Sequence, residues 1–457
     1  MSSFVGMQIG AVSFTDEGVP QVLDSVQERG GANAILLSAM SWLRGTAGRA
    51  HTGFPDHGGQ EPDDFEGGGY FKPNLKLYGD SPIRDFQAPE KEVQGFDILA
   101  DVIPEARKRG LKVYPYYCER YRTFPTPVSV PGFRGLIEID HVGRKASRPC
   151  LNNPGYRAFM HAVVEDWCKS HDIDGVLWGI ERRGPLGNTL DADQPSCFCR
   201  YCEEIGHREG IDVRRARQGY LELANFVHGA KSGVKPRDGY FIGFMRILFA
   251  FPEILAWDSL WTRSHKTFAR EIYGLVKWID PNLEVGMHLW QYINTYDPFL
   301  KAQYDLSELS ECADWIKPVV YQTPAGSRFK RYVERHTSSV WGDFEAPELL
   351  QFLYRILNLR EAEYDKLAEV GFSADYIRDE IRRTVDACPG IPVYSGVNVG
   401  VEAYADERPI EPSDVRTAIE ASYEGGAEGV ILSRNYSETW LRNLDAAGDT
   451  LRALGKA

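Results

Sequence analysis

Four cysteines and one glutamate carry the chemistry most readable in this chain of 457 residues: Cys150, then Cys197, Cys199 and Cys202 spaced as C-x-C-x-x-C, with Glu181 between them. Closely spaced thiols in a chain with only 8 cysteines point to metal binding before a disulfide scaffold. Three thiolates leave a tetrahedral zinc one ligand short, and Cys150 is the natural fourth. A set of four thiolates closes the coordination sphere, so the expected zinc is structural and staples a loop. Reduced, unliganded thiols are the plainer alternative. Cys118, Cys168, Cys312 and Cys388 read as ordinary buried thiols. Glu181 ends an apolar run, where a semi-buried carboxyl can have its pKa raised toward that of a general acid, with Arg182 and Arg183 following to tune or orient it. A structural salt bridge to those arginines is the competing reading.

These residues need a frame. Apolar strand-like runs alternate with amphipathic helical stretches, the pattern of a parallel sheet wrapped by helices. Eight runs are found, at 4–14, 34–42, 111–118, 173–180, 283–290, 315–321, 392–397 and 429–433. Helical stretches include 96–109, 154–171, 258–279, 412–424 and a closing one at 437–454. Eight such units predict an α/β fold, a TIM-type (β/α)8 barrel spanning 1–457 as a single domain. Long segments at 43–94, 119–148, 181–257 and 322–347 all leave the C-terminal ends of strands. That is the face on which barrels build substrate sites. The zinc-stapled insertion is expected around 182–257. The Gly-rich stretch 53–70, with His51, Asp56 and His57 nearby, reads as an ordered loop of that face or as a lid.

Sugar sites need flat apolar faces and convergent polar groups. At the predicted strand ends these are Glu119, Trp178, Arg182, His288, Trp290, Tyr321, Asn398 and Arg434, with Trp42, Tyr117, Gln291 and Asn435 beside them. Arg120, Arg182, Arg183, Arg328 and Arg434 offer a positive lining that would suit an anionic glycan; charge balance with neighbouring carboxylates is the plainer reading. Glycoside cleavage needs a second carboxyl flanking the bond. Glu119 ends the third strand, Glu438 follows the eighth, and Asp343 and Glu345 follow the sixth, so each is a candidate.

The stretch RPCLNNPGYR from Arg148 to Arg157, a helix, IDGVLWGIERRGPL, and then CFCRYC resembles in order and spacing the β-galactosidases of glycoside hydrolase family 42. The resemblance covers about a quarter of the chain. It implies that Cys150, Cys197, Cys199 and Cys202 hold a structural zinc and that Glu181 is the general acid/base. It also implies a nucleophile after the seventh strand, where Glu402 is the first choice, a retaining double displacement, and a lean toward an oligomer. Two departures stand out: Ile180 occupies the position of the family's Asn, and PVYSGVNVGVEAY after Pro392 differs from the family's seventh-strand sequence. The closing GVILSRNYSETWLRNLDAAG resembles uncharacterised glycosidase-like barrels, nearer to which the chain is placed.

A net charge of −13 disfavours nucleic acid or an anionic membrane as partner, since binding phosphates takes clustered Lys and Arg. The first eight residues lack a basic segment followed by an apolar core, and no run approaches the ~20 apolar residues of a membrane span. Cytoplasmic residence is the expectation. A glycoside hydrolase with a carbohydrate substrate is therefore predicted. The alternatives are a metal-dependent sugar isomerase or epimerase, with Glu119, Glu181 and His288 around a divalent ion, and a carbohydrate-binding barrel without catalysis.

Overall fold

The computed structural model describes residues 3–49, 53–119 and 129–457. Eight parallel strands form one sheet: β1 (Phe4–Ile9), β2 (Ala34–Leu37), β3 (Lys112–Glu119), β4 (Gly175–Ile180), β5 (Glu284–Leu289), β6 (Trp315–Pro318), β7 (Tyr394–Asn398) and β8 (Gly429–Ser433). Their order is β6-β5-β4-β3-β2-β1-β8-β7. Parallel bridges Ile316 to Val393 and Val319 to Gly396 join β6 to β7, so the sheet closes into the expected barrel. The helical layer includes α1 (Val19–Glu28), α2 (Ile103–Lys108), α3 (Pro154–Ser170), α4 (Glu253–Ile279), α5 (Pro298–Gln303), α6 (Ala374–Ala387), α7 (Pro412–Glu424) and α8 (Leu441–Ala453). Among the described residues no single helix is long and apolar enough to cross a membrane.

All eight predicted strands form, with shifted ends. The run 4–14 divides at Gly10, after which Ala11–Glu17 is helical; a continuous apolar run does not by itself separate a strand from a buried helix. The run 34–42 divides too, because Met40–Ser41 leaves the barrel and pairs antiparallel with Gly68–Gly69. The predicted start of the last helix, from 437, is a tight turn at Tyr436–Glu438 ahead of α8. The helix at 412–424 has its predicted bounds, fixed by a capping box in which Glu411 and Asp414 bond each other's backbone, as such a box does at helix starts.

Side chains alternate across each strand. Val5, Met7, Val113, Val176, Met287 and Val430 point outward into the main core under the helices. Ala34, Leu36, Tyr114, Tyr116, Leu177, Trp315 and Ile431 form a separate interior cluster, with Phe4, Cys118 and Tyr394 against it. Aromatic rings make its floor: Phe4 stacks on Tyr394 at 4.2 Å between centroids, and Trp315 lies 5.7 Å from Phe4 and 5.3 Å from Tyr394. Glycine makes room for the indole, since a Cβ on Gly286 would collide with the Trp315 ring. Overpacking of this kind costs about 1–3 kcal/mol. Gly286→Ala is therefore expected to lower unfolding free energy by about that amount in chemical denaturation, and an unchanged midpoint would show that the floor is loosely packed.

Candidate functional site

The pleat decides which predicted residues meet. Cys118 and Glu181 face the barrel mouth from the ends of β3 and β4, and His288 joins them from β5. One ligand atom from each of the three lies within 4.8 Å of the others, and His288 Nε2 sits 2.9 Å from Glu181 Oε1. Gly179 gives the imidazole its place: a Cβ there would lie 2.6 Å from that of His288. Beneath them, Lys317 Nζ donates to Gln8 Oε1 at 2.6 Å, and the Ser433 hydroxyl donates to the same oxygen at 2.7 Å. Burial pushes the Lys317 ammonium down to about 7, while the charges of Cys118 and Glu181 pull it back up. Lys317, Gln8 and Cys118 were not among the predicted site residues. Their signal is the two-residue step: Lys317 is in phase with Trp315, and Cys118 with Tyr114 and Tyr116.

Glu119 and Arg182, expected to contact substrate, occupy the opposite phase and lie behind the barrel wall. Glu119 is fully buried, accepts a hydrogen bond from Tyr156 of α3 at 2.8 Å and pairs with Arg182 at 3.2 Å. Burial raises its carboxyl to about 7, with Arg182 and Tyr156 opposing and Glu138 adding to the rise. Arg182 also donates to the Pro149 carbonyl at 2.7 Å and lies 3.7 Å from Glu138. Trp178 is likewise outward, buried between Tyr117 and Phe268 of α4. It offers no free face to a sugar, and for all three the reason is their odd spacing from the inward residues.

Other predicted residues do reach the mouth. Trp290 is half-buried and stacks on Tyr292 at 4.6 Å, with the Arg183 guanidinium 4.6 Å from the Tyr292 ring centre. Arg183 itself pairs with Asp191. The Tyr321 phenol is raised to about 12 by burial, opposed by Ser433, raised further by Glu181, and opposed by Arg434 and Arg328. Asn398 ends β7 and accepts from the Gly400 amide at 3.1 Å. Arg434 Nη2 lies 3.2 Å from both oxygens of Glu438. Glu438 is 2% exposed, and burial raises its carboxyl to about 7 against Arg434, Arg44 and Arg328.

Glu402 is half-buried on the segment beside it, where the Val401 amide donates to the Glu438 carbonyl and Gly400 bridges Thr439. Asp343 turns away and caps the helix Tyr240–Ala250, and Glu345 is in the capping box of Ala346–Leu357. Arg328 pairs with Glu407 at 2.8 Å. The loop 53–70 is tied across the face: His57 bonds Glu17 at 2.8 Å and the Thr439 carbonyl at 2.7 Å, and Asp56 accepts from the Leu441 amide. Arg120 and His51 lie outside the described residues.

The four predicted metal-ligating cysteines gather as one buried cluster. Cys150 Sγ is 3.5 Å from the sulfurs of Cys202 and Cys199, and Cys199 is 3.9 Å from Cys202. A zinc with bonds of about 2.3 Å needs sulfurs roughly 3.8 Å apart on a tetrahedron, so the donor set fits. Amides of Asn152 and Cys199 point at Cys150 and Cys197, both at 3.3 Å, as suits thiolate charge. The cluster joins the start of α3 to the insertion after β4, whose helices run Pro185–Leu190, Arg200–Arg208, Val213–Lys231 and Tyr240–Ala250. Asn153 caps α3 through the Gly155 amide, with Pro154 at the first helical position.

No family model matches the chain, and no curated protein matches it. Solved structures do. The glycoside hydrolase domain of PgaB (BpsB) from Bordetella bronchiseptica aligns over 99% of this chain and 98% of its own, with TM-score 0.50 and 13% identity. The β-galactosidase of the psychrophilic Marinomonas ef1 aligns over 99% and 61%, with TM-score 0.53 and 11% identity. That of Rahnella sp. R3 aligns over 99% and 56%, with TM-score 0.52 and 12% identity. The chain thus spans a little over half the length of these β-galactosidases. At such identities the likeness shows a barrel fold shared with glycoside hydrolases.

Breaking a buried ion pair from one side costs roughly 3–5 kcal/mol. Arg182→Met, which leaves the buried Glu119 without its cation while Glu138 keeps Arg148, is expected to lose about that much stability in denaturant titration. Intact stability with a raised KM would instead place Arg182 against substrate.

Proposed function

We propose that this protein is a glycoside hydrolase whose two carboxyl groups are Glu181 and Glu438. The carrying observation is the pair of carboxyl groups near the strand ends: Glu181 on the imidazole of His288, and, after β8, Glu438 sequestered from solvent beside Arg434. Cleavage requires one carboxyl to protonate the leaving oxygen and a second to attack or to activate water. Glu438, raised to about 7, retains a proton near neutral pH and is the donor. Glu181 is the second carboxyl, a reversal of the roles that the family 42 resemblance implies. Glu402, on the same rim, is the alternative partner. The half-buried Trp290 and Tyr292 stack supplies an aromatic face for a sugar ring, and Asn398 and Arg434 supply polar contacts.

The four cysteines are proposed to hold a structural zinc. Bound there, it would supply folding energy and no activated water, because four thiolates leave no open position. The structural likeness to glycoside hydrolases, including a PgaB domain that aligns over almost its whole length, supports a carbohydrate substrate. Retention would follow if Glu181 attacks the anomeric carbon directly.

Glu181→Gln is expected to lower hydrolysis of a responsive aryl glycoside or oligosaccharide by roughly 100-fold or more while bound zinc is unchanged. Activity of the wild type should fall as pH rises through about 7, because the donor Glu438 then loses its proton, and Glu438→Gln should abolish that limb. Full activity in Glu181→Gln would overturn the assignment.

A further inference from the structure

The barrel mouth contains a second set of metal donors, separate from the four cysteines. We propose that Cys118 Sγ, an imidazole nitrogen of His288 and a carboxylate oxygen of Glu181 form a three-ligand site for a zinc-class divalent cation, open to a fourth ligand. The atoms already lie within 4.8 Å of one another, carried by the adjacent strands β3, β4 and β5. His288 is 8% exposed, and Cys118 and Glu181 are half-buried. The pocket therefore holds its donors in place while remaining reachable from the mouth.

One sulfur, one nitrogen and one oxygen are the donors of a borderline ion. Hard cations such as magnesium or calcium prefer all-oxygen sets. Three protein ligands with a free position are also the arrangement of exchangeable zinc sites, in contrast to a closed set of four thiolates. Binding is proton-balanced: the cation replaces the proton between His288 Nε2 and Glu181 Oε1, and the Cys118 thiol releases its own as it becomes a thiolate. No oxidation change is involved.

A functional consequence rests on the glycosidase reading above. A cation seated on Glu181 withdraws that carboxylate from the reaction, so occupancy and glycoside cleavage exclude each other and zinc-class ions act as inhibitors. The neighbouring Lys317, bonded to Gln8, lies below the donors and is not a ligand.

The test titrates cobalt(II) into the full chain retaining its tightly held metal, after a chelator wash removes loosely held ions. Wild type, Cys118→Ser and His288→Gln are compared by metal content and by the thiolate-to-cobalt charge-transfer band. Circular dichroism checks that each variant is folded. One further equivalent with a thiolate band in the wild type, lost in both folded variants, is the expected result. No further uptake by the wild type, or uptake that persists in either folded variant, would overturn the site. Hydrolysis is assayed on the same samples. Cobalt uptake without hydrolysis by any sample would support the metal site and count against the glycosidase reading alone.

Discussion

The two-residue pleat of a closed parallel barrel is the constraint from which the site follows. A strand end cannot present consecutive side chains to the same compartment. At the end of β3 it sends Cys118 inward and Glu119 outward; just beyond β4 it sends Glu181 inward and Arg182 outward. The inward pair meets His288 at the mouth, and the outward pair meets behind the wall. Two neighbouring carboxylates thus acquire different work, one open to a ligand and one locked in a buried ion cluster.

The two compartments are mechanically joined. Arg182 bonds the carbonyl of Pro149, the residue before Cys150, and approaches Glu138, whose neighbour Ile139 directs its amide at Cys197 Sγ. A metal on the four cysteines would therefore fix the hairpin Ile137–Ile139 and Lys145–Pro149, the start of α3 and the first part of the insertion together. Through Arg182 and Glu119 that anchorage reaches the strand ends that hold Glu181 and Cys118. Inside the barrel, the aromatic floor and the layer of Gln8, Lys317 and Ser433 support the mouth from below.

Much of this was legible from sequence. Strand number, barrel class and the long loops on the C-terminal face of the barrel followed from hydrophobic runs and their spacing, and the cysteine spacing was a local signal. Strand phase was the weaker element. Strand ends mark only a zone, which takes in Trp178, Glu119 and Arg182 together with Glu181 although each is out of phase with the inward residue beside it. Counting inward from Trp315 would have found Lys317, and counting from Tyr114 would have found Cys118. The burial of Glu438 beside Arg434 was harder to see. Glu438 reads as an ordinary acidic residue in a helix's first turn, and only the folded chain takes it out of solvent.

The central claim is that the inward carboxyl groups, and not those behind the wall, face substrate. The most direct measurement is covalent labelling with an epoxide-bearing or fluorinated glycoside matched to the substrate found, followed by peptide mapping of the modified residue. Label on Glu181 or Glu438, prevented by substrate, is the predicted result. Label on Glu119 would contradict the account, since that carboxyl lies behind the barrel wall, bonded to Tyr156 and paired with Arg182.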